Sequence, residues 1–305
     1  VQWSGALYAS GGCHGGACAT AICDGCTSYQ GPVGPVTQAE MTLAPTDKDY
    51  FDVTIINGAN FPLSVTPMSP TGTFAPDPHT PDAYHCRAPG SPFAVQDTPG
   101  ASWHFQQGAA MTNRSLLPMV SYTEGATTCE SDADCSGGDV CGTAMATLAG
   151  KKPLNFVHSS ICGALLGVWS RDELCGWTDA IHFGTCKDQI TAPITMQVGN
   201  VEQLFQCNPP FGQSCFQKNV NEACCGCSVW DDFIPVHTAN CTTFNPLWAT
   251  IAKPHIEVLK RACPTCYTYP YDDATSLFTC WSNATHNENS YMVEWCPSGT
   301  SIRTS

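Results

Sequence analysis

The stretch CPTCYTYPYDDATSLFTC, Cys263 to Cys280, decides how the rest of the chain is read. Tyr267 and Tyr269 alternate as strand residues do. Pro270 and the adjacent Asp272 and Asp273 then break that strand, because proline donates no ladder hydrogen bond and aspartates favour turns. Leu277 to Thr279 predict a second strand that closes on Cys280. A turn, an acid pair and three cysteines thus fall within eighteen residues, a density that belongs to a stapled, mainly-β protein rather than a helical one.

Working outward, the composition agrees. Of 305 residues, 26 are glycine and 23 proline, while only 12% are charged, which suits short strands joined by many turns. The chain is long enough to bury a sizeable core. Its 21 cysteines point to an oxidising compartment, where they act as staples. A zinc reading rests on the spacings Cys23-Asp-Gly-Cys26 and Cys224-Cys225-Gly-Cys227, but the other cysteines are scattered singly, as in a disulfide framework. Asn113, Asn240 and Asn283 open Asn-x-Ser/Thr acceptor triplets for glycosylation. No run reaches the roughly 18 apolar residues of a membrane span, and no charged-then-apolar leader precedes Val1. The expectation is a processed, secreted chain of the extracellular space or cell wall. Its formal charge of −14 argues against nucleic acid and anionic membrane as partners and is compatible with a neutral polysaccharide.

In chain order, Val1, Trp3, Ala6 and Tyr8 suggest an opening strand. The Gly/Cys knot that follows offers two short disulfide loops, Cys13 with Cys18 and Cys23 with Cys26. Tyr50 to Ile56 alternates as a half-buried strand. Asn57-Gly58 signals a hairpin or tight turn, and Phe61 to Val65 restarts the strand. Ser102 to Gln106 and Leu117 to Tyr122 are short strand candidates. Cys129, Cys135 and Cys141 are six apart and mark a stapled loop; its Asp-x-Asp lacks the glutamate of a calcium loop. Ser170 to Glu173 form a capping box before Cys175. Met196 to Phe205 predicts a strand that runs into Cys224, Cys225 and Cys227. Asn245 to Arg261 is the best helix candidate, with Pro254 kinking or splitting it. Two strand-rich regions therefore flank a cysteine-dense middle. They predict one β-sandwich from residues 1–128 and 263–305, with a disulfide-rich domain inserted over 129–262.

Several of these segments resemble the thaumatin-like family, of the pathogenesis-related group 5 type. The block from Cys263 to Cys280 is similar to the family's closing CPxAYxYPxDDxTSxFTC, followed here by the final strand SYMVEWCP, Ser290 to Pro297. CATAICDG resembles the family's CATGDCGG. TQAEMTL and DYFDVTIINGANFPLSVTP resemble its TLAEFTL and DFYDVSLVDGFNVPMSVTP. CGALLGVWSRDELC, which includes Cys162 and Cys175, resembles the fungal branch. The resemblance implies a thaumatin-like flattened antiparallel β-sandwich with an inserted disulfide-rich helix and loop domain, a small disulfide-bound hairpin region at 11–30, and a cleft between the sandwich and the inserted domain.

No phosphate loop, nucleophile elbow or His-x-x-x-His pair appears, so neither a cofactor nor a metal is expected. Carboxylates remain. Glycoside hydrolysis needs one protonated acid and one ionised carboxylate, and spacing alone selects no pair among 26 acidic residues. The resemblance places cleft acids at Glu40 and Asp52, with Asn57, Tyr267, Tyr269, Asp272 and Asp273 as substrate contacts. Glu40 lies between apolar Ala39 and Met41, which suggests a raised pKa and the acid role. The family's other cleft acids fall on Asn57 and Thr265, and its arginine on Ser10. The function implied is interaction with β-1,3-glucan of the fungal cell wall, as a weak antifungal endo-β-1,3-glucanase; the alternative is a non-catalytic glucan-binding, defence or matrix-assembly protein. The family's final cysteine pairs with one in an N-terminal Asn-Cys-Pro segment. Cys296 is expected to lack that partner, unless an N-terminal fragment or second chain completes the sheet. Cys266, where the family has alanine, is the competing spare thiol.

Overall fold

The computed structural model describes residues 2–13, 18–23, 31–95, 97–106, 114–146, 155–170, 253–281 and 288–304. The glycosylation acceptors Asn113, Asn240 and Asn283 lie outside these residues, as do Cys26, Cys175, Cys224, Cys225, Cys227, most of the Ser170 capping box and the strand expected at 196–205.

Three sheets organise what is described. The first has the order β1 (Trp3–Tyr8), β2 (Gln38–Leu43), β3 (Asp49–Thr54), β9 (Phe278–Cys280), and the second pairs β10 (Ser290–Trp295) with β4 (Leu63–Met68). Both are antiparallel throughout. The period of two in β2 and β3 explains how they stack. Ala39 and Met41 stand opposite Val53 and Phe51 in register, and all four are buried, so one face of the sheet is apolar. That face meets Leu63 and Val65 of β4 in a single core. The Phe51 ring lies 5.0 Å from Tyr291 of β10 and 6.0 Å from Phe278. Each such large side chain contributes about 1.5–3 kcal/mol by leaving water.

Helix α1 (Lys253–Ala262) presses Val258, Leu259 and Ala262 into the same core. Pro254 lies in its described first turn, and the part of the expected helix before Lys253 lies outside the described residues. The third sheet, β7 (Asn155–Gly163), β6 (Val140–Ala146), β5 (Leu117–Val120), β8 (Leu165–Trp169), holds one parallel pairing, β5 with β6. Cys129–Cys141 and Cys135–Cys162 staple it. The fold is mainly β and thaumatin-like, with several antiparallel sheets and multiple disulfides.

One two-way sequence expectation is decided here and three change. Asn57-Gly58 is a tight turn, with Gly58 at φ +82° and its N–H donating to Ile55 O, but it makes no hairpin. The chain leaves β3 for the other sheet, since the opposed apolar faces must lie on facing layers. Gly58 is required there because a Cβ would strike the Val168 carbonyl of β8. Ser102 to Gln106 is not a strand. Trp103 takes a left-handed backbone (φ +55°), and the N–H groups of Ser102 and Trp103 both donate to Ala262 O at the end of α1. Tyr267 to Tyr269 forms only one parallel bridge, Thr54 with Tyr267. Cys266 is no spare thiol, for it is bonded to Cys263.

Candidate active site

The closing block takes the free edge of β3 in two places. Near one end β9 pairs with it, Tyr50 opposite Thr279. Near the other, Tyr267 N–H donates to Val53 O at 2.8 Å and Ile55 N–H donates to Tyr267 O at 2.9 Å. Between them the chain turns through Asp272 and enters the short helix α2 (Asp273–Ser276). Cys86–Cys280 and Cys263–Cys266 tie down its two ends. The loop carrying the acid pair is thereby held beside the middle of β3, where Asp52 stands.

Glu40 and Asp52 are direct cross-strand partners. They project from the face opposite Ala39, Met41, Phe51 and Val53, because neighbours along a strand alternate sides. The apolar residues flanking Glu40 are therefore not its environment. Opposed strand positions bring Cβ atoms to roughly 4.5–5.5 Å, so the two carboxyls are forced to share a site. They differ in solvation. Glu40 is exposed, while Asp52 is 8% exposed, and Asp52 Oδ1 is buried with no hydrogen-bond partner. Lost solvation pushes the Asp52 pKa well above the usual carboxylate value, with further upward pressure from Glu40 and then Asp273. Glu40 is also raised, by lost solvation alone. The member best placed to keep a proton is thus Asp52, which reverses the role expected of Glu40.

The two adjacent aspartates part company. Asp272 is buried and satisfied: Lys260 Nζ (2.8 Å), Thr268 N–H and Oγ1, and Thr275 Oγ1 all donate to it. Lys260 also reaches Cys266 O and Ser276 Oγ, so Asp272 anchors the loop. Asp273 instead accepts a 2.6 Å hydrogen bond from the Tyr267 hydroxyl. Burial, and then Asp273, raise the pKa of Tyr267 and keep it a donor. Tyr269 is buried in the loop. Asn57 lies in the turn beyond β3, where its carbonyl accepts Val36 N–H. Thr265, where the family carries an acid, is buried and accepts Gly90 N–H at 3.0 Å. Ser10, at the arginine position, donates to Ala21 O. Both departures serve packing.

Comparison with known proteins now adds to this geometry. Residues 1–138 match the Thaumatin family. Thaumatin-like protein 2 of Prunus persica is 40% identical over 83 residues, 24% of this chain and 34% of the relative. Pathogenesis-related protein 5 of Arabidopsis thaliana is 38% identical over 76 residues, 23% of this chain and 32% of the relative. A protein of Prunus avium named glucan endo-1,3-beta-glucosidase is 38% identical over 81 residues, 24% of this chain and 33% of the relative. The chain spans about a third of the length of these curated relatives.

Sequence reasoning overlooked two features of the site. Tyr50, two residues from Asp52 and on the same face, is 37% exposed beside the acids; the strand period was the signal that finds it. Cys86 was not paired with Cys280, 194 residues away, since spacing carries no long-range connectivity. Cys13–Cys18 forms as expected, and Cys23 is disulfide-bonded. Cys129, Cys135 and Cys162 place their sulfurs within a metal-sized cluster, but all three are in disulfides. Among the described residues Cys296 alone is a free cysteine, and it is exposed.

Proposed function

We propose that this thaumatin-family protein is a secreted glucan-interacting protein and a weak endo-β-1,3-glucanase, with Asp52 and Glu40 as its catalytic residues. The observation that carries the reading is the cross-strand pair itself, one member exposed and the other buried with an unpartnered oxygen. Buried carboxylates are normally hydrogen-bonded, and one left open is a cost that a purely structural role does not explain.

The chemistry follows from the difference in solvation. Asp52 keeps its proton at a pH where Glu40 is already ionised. Asp52 gives that proton to the glycosidic oxygen as the bond to the anomeric carbon breaks, and Glu40 attacks that carbon. Water then cleaves the glycosyl ester, with the Asp52 carboxylate taking its proton. The narrow spacing of opposed strand positions suits the retaining arrangement, whose carboxyls stand about 5–5.5 Å apart, better than the inverting one at about 6.5–9.5 Å. Tyr50 offers an amphipathic ring on which a pyranose can stack. The similarity to a relative named glucan endo-1,3-beta-glucosidase supports the substrate class. The many disulfides support secretion, and no helix among the described residues is long and apolar enough to cross a membrane.

The test is release of oligosaccharides from linear β-1,3-glucan by the wild type, Glu40→Gln and Asp52→Asn. Each variant should lose about 10²–10⁴-fold in rate while binding insoluble glucan as before. Wild type that releases no sugar yet binds glucan would leave the non-catalytic alternative. A second reading concerns assembly. Strand β10 is a sheet edge, Trp295 beside Cys296 is 37% exposed, and Cys296 is free. A cysteine-bearing strand from another chain segment would pair with that edge and close a disulfide to Cys296. Non-reducing intact mass would reveal the added segment.

A further inference from the structure

The geometry points to Asp273, aimed by the Tyr267 hydroxyl, as a positioning residue that keeps the shared proton of the Glu40–Asp52 pair on Asp52. This deepens the proposed function and rests on it for its biological use, though not for its test.

Four observations build the case. First, Tyr267 is fixed to β3 by two backbone hydrogen bonds, from its N–H to Val53 O and to its carbonyl from Ile55 N–H. These bracket Thr54, which shares a face with Asp52, so the tyrosine cannot drift along the strand. Second, the 2.6 Å bond from its hydroxyl to Asp273 Oδ1 is short, as charge-assisted bonds are. A neutral donor orients the carboxylate without cancelling its charge. Third, the neighbouring Asp272 is neutralised by Lys260. The loop therefore delivers one unbalanced charge to the site rather than two. Fourth, Asp52 Oδ1 has no hydrogen-bond donor to stabilise an ionised form.

Among the described residues, the groups facing Asp52 are then Glu40 from β2, Asp273 from α2 and the Tyr267 hydroxyl, with the Asp272–Lys260 pair behind. Two of these are uncompensated carboxylates, and none is a cation. Like charges around a desolvated acid favour its neutral form. Glu40 exerts the larger of these two pressures and Asp273 the smaller. The half-buried Asp273 acts through protein, where a charge is screened less than in water. With Thr265 and Asn57 standing where the family's motifs carry acids, Asp273 is the negative neighbour this chain retains on that side. The strong upward shift at Asp52 agrees with this placement.

The experiment is a ¹³C carboxyl titration by NMR of the intact protein, comparing wild type, Asp273→Asn and Tyr267→Phe, with Asp134→Asn as a remote exposed control. Removing the Asp273 charge should lower the Asp52 midpoint by about one pH unit, tenfold in proton affinity. Tyr267→Phe frees Asp273 to turn toward solvent and should lower it by less, and the control should leave it unmoved. Asp273→Glu should restore part of the shift. An Asp52 midpoint unchanged in both Asp273→Asn and Tyr267→Phe overturns the proposal, and Tyr267→Phe alone decides it if Asp273→Asn does not fold. No substrate is involved. A midpoint that falls in a protein releasing no sugar upholds this proposal while the glucanase reading fails, and the converse result separates them the other way.

Discussion

Two acidic regions lie within one loop's reach of each other and are built on opposite rules. Around Asp272, every visible need of a buried carboxylate is met, by Lys260, Thr268 and Thr275. Around Asp52, an oxygen is buried with no donor, and the nearest charges are like charges. The first arrangement holds the closing block in shape. The second is unfavourable for folding and is tolerated because the first is rigid. Such a division, in which satisfied polar groups support an unsatisfied one, is the general logic of a preorganised site.

The largest expected effect comes from breaking the satisfied side. Asp272→Ala leaves the Lys260 ammonium without its partner, and urea unfolding should register a loss of about 3–5 kcal/mol. Glucan hydrolysis should vanish with the fold. Thr265→Val comes next. It strands the buried Gly90 N–H and should cost about 1–3 kcal/mol, with hydrolysis per folded molecule unchanged. A fall in kcat for that variant would move Thr265 from the packing side of the comparison to the chemical side.

These two substitutions also mark what the sequence made legible. The alternation of Tyr50 to Ile56 foretold the half-buried strand β3, and the closing block resembled that of the thaumatin-like family. Family resemblance then placed Glu40 and Asp52, and the register made them neighbours. Which of them holds the proton was not legible. The flanking residues of Glu40 face the other side of the sheet, and the Asp273 that presses on Asp52 stands more than 200 residues later in the chain. Nor could Asp272 be told from Asp273. Their chemistry is identical and their positions adjacent, and only Lys260 and Tyr267, brought in by tertiary folding, separate them. Cysteine connectivity failed for the same reason, as Cys86–Cys280 illustrates.

Smaller effects sharpen the picture. Tyr50→Ala should raise KM for linear glucan by about two- to tenfold, the equivalent of about 0.5–1.5 kcal/mol of ring contact, and leave the melting temperature nearly unchanged. The smallest effect belongs to Asp77, a satisfied, half-buried acid paired with Lys48. Burial raises its pKa, but hydrogen bonds from Lys48, Thr80 and His79 N–H outweigh this and bring it down to about 2. Its folded value lies below its unfolded one, so its contribution is present above about pH 4 and fades as pH falls through about 2. Asp77→Asn should therefore cost less than about 1 kcal/mol at neutral pH and nothing measurable near pH 2, as read from thermal melts at the two extremes.

Asp52 has the opposite sign, and its melting profile tests the central claim most directly. Its folded pKa is raised, so the folded state holds a proton that the unfolded chain releases above about pH 4, and stability falls as pH rises from there toward the folded value. Asp52→Asn removes that dependence while keeping the shape of the protonated acid. Thermal unfolding of wild type and Asp52→Asn across the range from about pH 3 to 7 should give matching melting temperatures at the acid end. The variant should become progressively more stable than wild type as pH rises. A variant that is less stable than wild type at neutral pH, or a gap that does not change with pH, would contradict the account and make Asp52 a satisfied structural acid like Asp272.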